Sequence, residues 1–257
     1  MGTPNTITSR DNPLLKRLRL LAYDSTAYRK QGQVWLEGDH LCRALLARGH
    51  RPVTAVFSES FWPIAPHDLR DAADHVVTVS AALMAGISGL ESPAGVGFVW
   101  DLPGAVAMQA GTPTVVLDRL QDAGNVGSIL RSAAAFGFGQ VVALKGTAAL
   151  WAPKVVRAGM GSHFGLRLIE GLSADELAAL ELPLLVTSSH QGDWLHQARL
   201  PWPCAWVLGH EGQGVGEALM ARAGAFVRIA QPGGEESLNV AAAAAICLHA
   251  SASSRGA

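Results

Sequence analysis

Charge, aromatic rings and sulfur are all scarce in this chain. Of 257 residues, 16% are charged and 6% aromatic, against 49% hydrophobic. That balance excludes a self-repelling disordered chain and fits a compact globular one. The three cysteines, Cys42, Cys204 and Cys247, are odd in number and far apart. They can build neither a disulfide framework nor a zinc knuckle, so buried free thiols are expected. His190, His196 and His210 share one region, yet no pair stands four apart with an acid between, and no metal is expected. No apolar run reaches the roughly 18 to 20 residues that span a bilayer, and Met1–Arg10 lacks the basic start and apolar stretch of a secretory signal. The expected location is therefore the cytoplasm, with no membrane partner.

The net charge of −1 conceals an uneven distribution. Met1–Arg51 holds nine Lys or Arg against four Asp or Glu, so acids are in surplus over the rest. Asn12–Ala22 reads as an amphipathic helix, with Leu14, Leu15, Leu18 and Leu21 on one side and Lys16, Arg17 and Arg19 largely on the other. Such cations can track the phosphates of a nucleic acid, whatever its sequence. They can equally be the solvated face of an ordinary helix.

Further on, strand-like Gln33–Leu36, Val53–Phe57, Val76–Val79 and Val96–Trp100 alternate with helical His40–Ala47, Pro66–Ala73 and Ala81–Gly86, which predicts a small α/β domain. Asp101–Pro113 breaks both periodicities. Beyond it come apolar strands Thr114–Leu117, Gln140–Leu144, Leu166–Ile169, Leu184–Thr187, Ala205–Leu208 and Phe226–Ile229. Helices at Ser128–Phe136, Pro153–Met160, Ser173–Glu181, Val215–Ala223 and Ser237–Ala250 separate most of them. This pattern predicts a mostly parallel sheet covered on both faces. The domains are therefore 1–101, a linker 102–113, and 114–257.

Ligands of such sheets bind outside the carboxyl ends of the strands, which singles out three loops. In Asp122–Ala133, glycines permit close backbone approach, Asn125 can donate and accept, and a helix start offers N–H groups where a phosphate can dock. Arg131, about one turn into the expected helix, can grip a phosphodiester. Asn125 in a turn and an exposed helical Arg131 describe the same residues without a ligand. In Leu208–Gly216, the glycines run GxGxG and not GxGxxG, and Val227-Arg228-Ile229 ends a strand with no acid for a ribose. A nicotinamide-dependent oxidoreductase is thereby disfavoured. Glu211 can fix a polar group of a substrate, brace the loop, or complement a helix dipole. In the third loop, Ala230–Ser237, Ser237 is a natural helix cap.

Asn125-x-Gly127-x-x-x-Arg131-x-Ala133, then Gly209-x-Glu211-x-x-Gly214, then Ser237-Leu238-Asn239-Val240 resemble, in order, the three motifs of the SpoU, or TrmH-like, RNA methyltransferases. Ser9-Arg10-Asp11-Asn12 and the run from Arg29 to Glu37-Gly38 resemble the ribosomal-protein-like substrate-binding domain that many members carry in front. The likeness thus spans nearly the whole chain. It implies a SPOUT catalytic domain with a C-terminal deep trefoil knot, an exception to the usual absence of knots. It also implies a homodimer with the active site near the interface, and S-adenosylmethionine held mostly by knot backbone around Thr187, Leu208, Gly209, Gly214, Ile229, Ala230, Ser237 and Leu238. The implied substrate is a ribose 2'-hydroxyl of structured RNA, ribosomal RNA ahead of transfer RNA. Arg131 would orient it and help remove its proton, while Asn125, Glu211, Ser237 and Asn239 shape the site. Arg10, Lys16, Arg17, Arg29 and Lys30 are the candidate RNA contacts. Two departures stand out: many members read Ile-Pro-Met where this chain has Ile229-Ala230-Gln231, and Ala123 replaces a frequent proline. The non-enzymatic alternative is a ribosome-assembly factor that binds RNA on the same fold.

Overall fold

The computed structural model describes residues 4–188, 191–233 and 237–254. They pack as two compact units, one running to Gly104 and including Trp151–Phe164, the other made of Ala105–Leu150 and the chain from Gly165 onward.

The first unit holds β1 (Asn5–Ile7), α1 (Pro13–Tyr23), α2 (Ala27–Gln31), β2 (Gln33–Glu37), α3 (Asp39–Ala47), β3 (Thr54–Ser58), α4 (His67–Arg70), β4 (His75–Val79), α5 (Ala81–Ala85) and β5 (Val96–Asp101). Helix α1 starts where it does because Asn12 Oδ1 accepts the Leu14 N–H at 2.9 Å and Pro13 needs no partner for its nitrogen. Its apolar face is buried through Leu15, Leu18 and Leu21. The sheet order is β1-β4-β3-β5-β2, with β1, β4 and β3 parallel and β5 antiparallel to both β3 and β2. Three-residue β1 is too short to show a period of two, which is why the sequence did not predict it. Gly97 has no side chain because the Trp35 ring lies across it: a Cβ there would sit 2.1 Å from that ring.

One carboxylate is buried in this unit. Glu37, 8% exposed, accepts hydrogen bonds from the Ser88 hydroxyl and from the amides of Gly89 (2.9 Å) and Ala94 (3.5 Å), tying β2 to the segment ahead of β5. Helix α7 (Pro153–Gly159) also belongs here. Trp151 and Phe164, at the ends of its segment, pack against Trp100 at centroid distances of 5.7 and 5.6 Å. The alternating pattern predicted this helix inside the second domain, because periodicity reports that a helix has an apolar face and not which core receives it.

The second unit holds β6 (Thr114–Leu117), α6 (Ala123–Ala135), β7 (Gln140–Leu144), β8 (Arg167–Leu172), β9 (Leu184–Thr187), β10 (Asp193–Trp194), β11 (Ala205–Leu208), α8 (Glu217–Met220), β12 (Ala225–Arg228) and α9 (Val240–Ser253). All pairings are parallel in the order β10-β12-β9-β11-β6-β7-β8. The central strands β6, β7 and β11 are buried on both faces, as their apolar runs require. Val116, Val142, Ile169, Val186 and Val207 share one core cluster. Fully buried Trp206 of β11 donates through Nε1 to the Ser251 hydroxyl at 2.8 Å and so holds α9 to the sheet.

Several boundaries differ from those predicted. Helix α6 begins at Ala123 and not Ser128, because the Asp122 carboxylate caps it by accepting the Asn125 N–H at 2.7 Å. Helix α9 is capped by Asn239, whose Oδ1 accepts from Ala241 and Ala242. Ser237, the predicted cap, lies two residues before Asn239. The stretch expected as a helix from Ser173 is a 3-10 turn at Asp175–Leu180, and the one expected at Val215–Ala223 shortens to α8. Strand β10, two residues long, was not predicted. Among the described residues no helix is long and apolar enough to cross a membrane.

Glu37→Ala should leave the Ser88, Gly89 and Ala94 donors without an acceptor and lower stability by about 2 to 4 kcal/mol, read as a fall in the urea midpoint. Glu37→Gln, which keeps one oxygen, should cost less.

Candidate active site

The sheet order decides which loops meet. Strands β12, β9, β11 and β6 are neighbours, with Thr187 opposite Val227, Val207 opposite Val186, and Leu208 opposite Leu117. The loops following β6, β11 and β12, which carry the three motifs, therefore leave one edge of the sheet together. Between β6 and β11 the strand order reverses direction, the place where open α/β sheets bind ligands.

The loop after β11 folds back on itself. His210 and Gly214 exchange backbone hydrogen bonds at 3.0 and 2.8 Å, and Gly214 takes a φ of +68°. A Cβ on Gly209 would lie 2.2 Å from the Gly214 carbonyl carbon and the Val215 nitrogen. Both glycines are thus demanded by the turn itself.

Asp118 and Arg119, which the sequence reading passed over, clamp that turn to the end of β6. Asp118, 4% exposed, accepts the Gly216 N–H at 2.7 Å and a bidentate pair from Arg119 at 2.9 and 3.1 Å. The guanidinium continues to Gln213 Oε1 at 3.0 Å and the Gly214 carbonyl at 3.4 Å. Arg119 does this from a left-handed φ of +60°, a conformation that costs a non-glycine residue energy. The signal that could have found this pair is its position, directly after an apolar strand of a parallel sheet.

Glu211 reaches across to the first motif. Its carboxylate accepts the amides of Gln121 (3.4 Å) and Asp122 (3.2 Å) and the Asn125 side-chain amide (3.3 Å). Asn125 Oδ1 in turn accepts from Asn239 Nδ2 at 3.0 Å. Glu211, Asn125 and Asn239 form one chain of hydrogen bonds through all three motifs, and Glu211 acts here as a brace. Burial pushes its carboxyl up, but the hydrogen bonds from its own amide, the Asn125 side chain, Asp122 and Gln121 outweigh this and hold it below the ordinary glutamate range. The phosphate site expected at this helix start is not open. Asp122 and Glu211 already take the amides of Asn125, Asp122 and Gln121, so carboxylates occupy the place of the anion.

Arg131 stands apart from this chain. It lies on α6 six residues beyond Asn125, about 9 Å along the axis and a third of a turn away, not one turn from the helix start as the predicted boundary implied. Its side chain is exposed and makes no hydrogen bond or ion pair among the described residues.

Of the residues expected at the cofactor, Thr187, Ile229, Ser237 and Leu238 line one cavity of about 160 Å³, together with Val227 and Gln231. Leu208 is core, and its carbonyl is engaged by the Asp118 N–H. Gly209 and Gly214 belong to the adjoining turn, and Ala230 is exposed. Gly234–Glu236 of the third loop and His190 lie outside the described residues. All three cysteines are buried, which pushes the Cys204 thiol up to about 11 and that of Cys247 to about 12.

In the first unit, Arg10 and Lys30 are exposed, Lys16 pairs with Asp11 at 3.2 Å in solvent, and Arg29 lies over the Tyr28 ring at 5.6 Å. Arg17 is half-buried, its Nε without an acceptor among the described residues.

Glu211→Gln places an amide donor against three N–H donors and should weaken the brace by about 1 kcal/mol, the low end expected for solvent-facing bonds to a charged group. Amide exchange at Gln121 and Asp122 should accelerate. A carboxyl that titrates lower folded than unfolded stabilises above its unfolded value, and that contribution fades as pH falls through the folded one. Wild-type protection at these amides should therefore hold at neutral pH and decline below about pH 4.3, while the variant shows no such decline.

Residues 112–249 match the model of the SpoU rRNA methylase family. An uncharacterised tRNA/rRNA methyltransferase of Synechocystis is 32% identical over 95% of this chain and 92% of its own length. The 23S rRNA (guanosine(2553)-2'-O)-methyltransferase of Bacillus subtilis is 29% identical over 83% of this chain and 86% of its own. Among solved structures, the rRNA methyltransferase of Sinorhizobium meliloti, determined with S-adenosylmethionine bound, superposes with a TM-score of 0.82 at 25% identity, covering 97% of each chain. The motif-bearing half through the family model, and 95% of the chain through the Synechocystis relative, place this chain in the SpoU RNA methyltransferase family.

Proposed function

We infer that this protein transfers the methyl group of S-adenosylmethionine to a ribose 2'-hydroxyl of structured RNA, with ribosomal RNA ahead of transfer RNA. The observation that carries this reading is the hydrogen-bonded chain Glu211–Asn125–Asn239, which joins all three family motifs on the sheet edge that also bears the cavity. The relatives support it: one is named a 2'-O-methyltransferase of 23S rRNA and one structure holds S-adenosylmethionine.

The residues present fit that cofactor. The cavity offers apolar Val227, Ile229 and Leu238 beside a buried side-chain oxygen, Gln231 Oε1, that lacks a donor among the described residues. S-adenosylmethionine supplies a methyl group already activated on a sulfonium. The chain must supply position, because a neutral hydroxyl is a poor nucleophile and alignment is where most acceleration is available. Arg131 serves by gripping an RNA phosphodiester with its planar guanidinium and holding the 2'-oxygen in line, the proton passing to solvent or to that phosphate. Its exposed and unengaged guanidinium suits this role. Asn125, Glu211 and Asn239 keep the loops in place, and Ser237 lines the cavity.

The remaining parts of the reading follow the family resemblance. The first unit is the RNA substrate-binding domain, with Arg10, Lys16, Arg17, Arg29 and Lys30 as phosphate contacts. A homodimer places Arg131 near the subunit interface. The knotted path is supported by β11 lying between β6 and β9 and by α9 packing back on α6 and β11.

Labelled methyl from S-adenosylmethionine should enter RNA from a strain lacking this protein, at one 2'-hydroxyl by ribose-methylation mapping. Arg131→Ala should lose at least a hundredfold in transfer while cofactor binding is retained; wild-type turnover would remove Arg131 from the mechanism. No label in free RNA, ribosomal subunits or transfer RNA, with cofactor bound, would leave the non-catalytic assembly factor. Reversing charge at Lys16 and Arg17 should weaken RNA capture and shallow its salt dependence by about two counterions; an unchanged salt slope would exclude this helix from the RNA surface.

A further inference from the structure

The third motif departs from its family pattern at Gln231, and the structure gives that departure a consequence. Gln231 Oε1 is buried, accepts no hydrogen bond among the described residues, and belongs to a side chain that lines the cavity formed by Thr187, Val227, Ile229, Ser237 and Leu238. A buried acceptor left without a donor costs about 1 to 3 kcal/mol, so such an atom is normally satisfied by something not yet in place. A methionine, usual at this position in the resembled pattern, would carry no such demand.

The dimensions and lining narrow what that donor is. About 160 Å³ is the size of cavity that takes one ring system. Val227, Ile229 and Leu238 give the cavity apolar walls suited to the faces of a flat heterocycle. S-adenosylmethionine carries three kinds of donor. Its ammonium would lose hydration among apolar side chains at high cost. Its ribose hydroxyls can also donate, but they project from a puckered sugar that does not lie flat against apolar walls. Its adenine amine sits on the edge of a flat ring and donates two N–H groups.

We propose that Gln231 is a specificity-determining residue for the cofactor, its side-chain oxygen accepting a hydrogen bond from the adenine 6-amino group when the ring occupies this cavity. The proposal rests on S-adenosylmethionine being the cofactor, and adds a side-chain reading of the base to the backbone recognition the family resemblance implies. It also accounts for how the chain tolerates an altered third motif: the amide replaces contacts of the missing methionine with one directed bond.

Binding of S-adenosylhomocysteine and of its 6-unsubstituted purine analogue, which lacks the amine, tests this by titration calorimetry without turnover. Wild type should bind the analogue roughly five- to tenfold more weakly. Gln231→Met should bind the two ligands alike, and Gln231→Glu, which keeps an acceptor, should retain the preference. The ratio is internal to each variant, so a general loss of affinity or stability does not imitate the result. Equal binding of the two ligands by wild type, or an undiminished preference in Gln231→Met, overturns the proposal while leaving the cofactor assignment intact. Failure of folded wild type to bind S-adenosylhomocysteine at all overturns the cofactor assignment, and the proposal with it.

Discussion

Strands β6 and β11 run side by side in parallel, Leu117 opposite Leu208, although a long stretch of chain separates them. Their pairing releases two loops at one edge of the sheet, and the polar groups there must find partners in each other. Asp118 is the hinge of that settlement. Nearly excluded from water, it is neutralised by the adjacent Arg119 and bonded to the Gly216 amide, so its burial is compensated on both sides. From this fixed pair the turn at Gly209–Gly214 takes its position, and from the turn Glu211 takes aim at the start of α6.

The result is a site whose acidic groups serve order. Asp118, Asp122 and Glu211 all accept backbone amides, two of them at a helix start that elsewhere would suit a phosphate. A carboxylate in that position stabilises the helix but closes it to an anionic ligand. Arg131 stands farther along α6, open to solvent. Spending carboxylates on bracing is consistent with methyl transfer from an activated donor, where alignment counts for more than a strong general base.

The parallel second sheet is legible in the sequence, because Val115–Leu117, Val141–Leu144 and Ala205–Leu208 are apolar without alternation, and only a sheet covered on both faces demands that. The motif glycines were visible, and the turn shows why they are needed. Helix starts were less so: Gly124, Asn125 and Gly127 look like loop residues, and only the Asp122 cap shows that the helix already contains them. The same error shifted Ser237 into a capping role that Asn239 holds, since either side chain can cap and tertiary pairing with Asn125 selects between them. The membership of α7 in the first unit was invisible to any local pattern, as was the clamp between Asp118 and Gly216, a contact between residues that only the strand order brings together.

Asn239 shows how the two kinds of information combine. Its Oδ1 caps α9 while its Nδ2 donates to Asn125, so one amide terminates a helix and links two motifs. Neither half of that role alone would require asparagine. Serine or aspartate would cap as well, and several donors could reach Asn125, but only an amide supplies an acceptor and a donor from one rigid plane. Side chains with a double obligation of this kind leave little freedom, whereas residues such as Ala230, exposed and outside every such bond, can change without disturbing the frame. The sequence departs from its family pattern in that second class and at Gln231, on the wall of the cavity, where a change alters what the site recognises and leaves the scaffold that holds it unchanged.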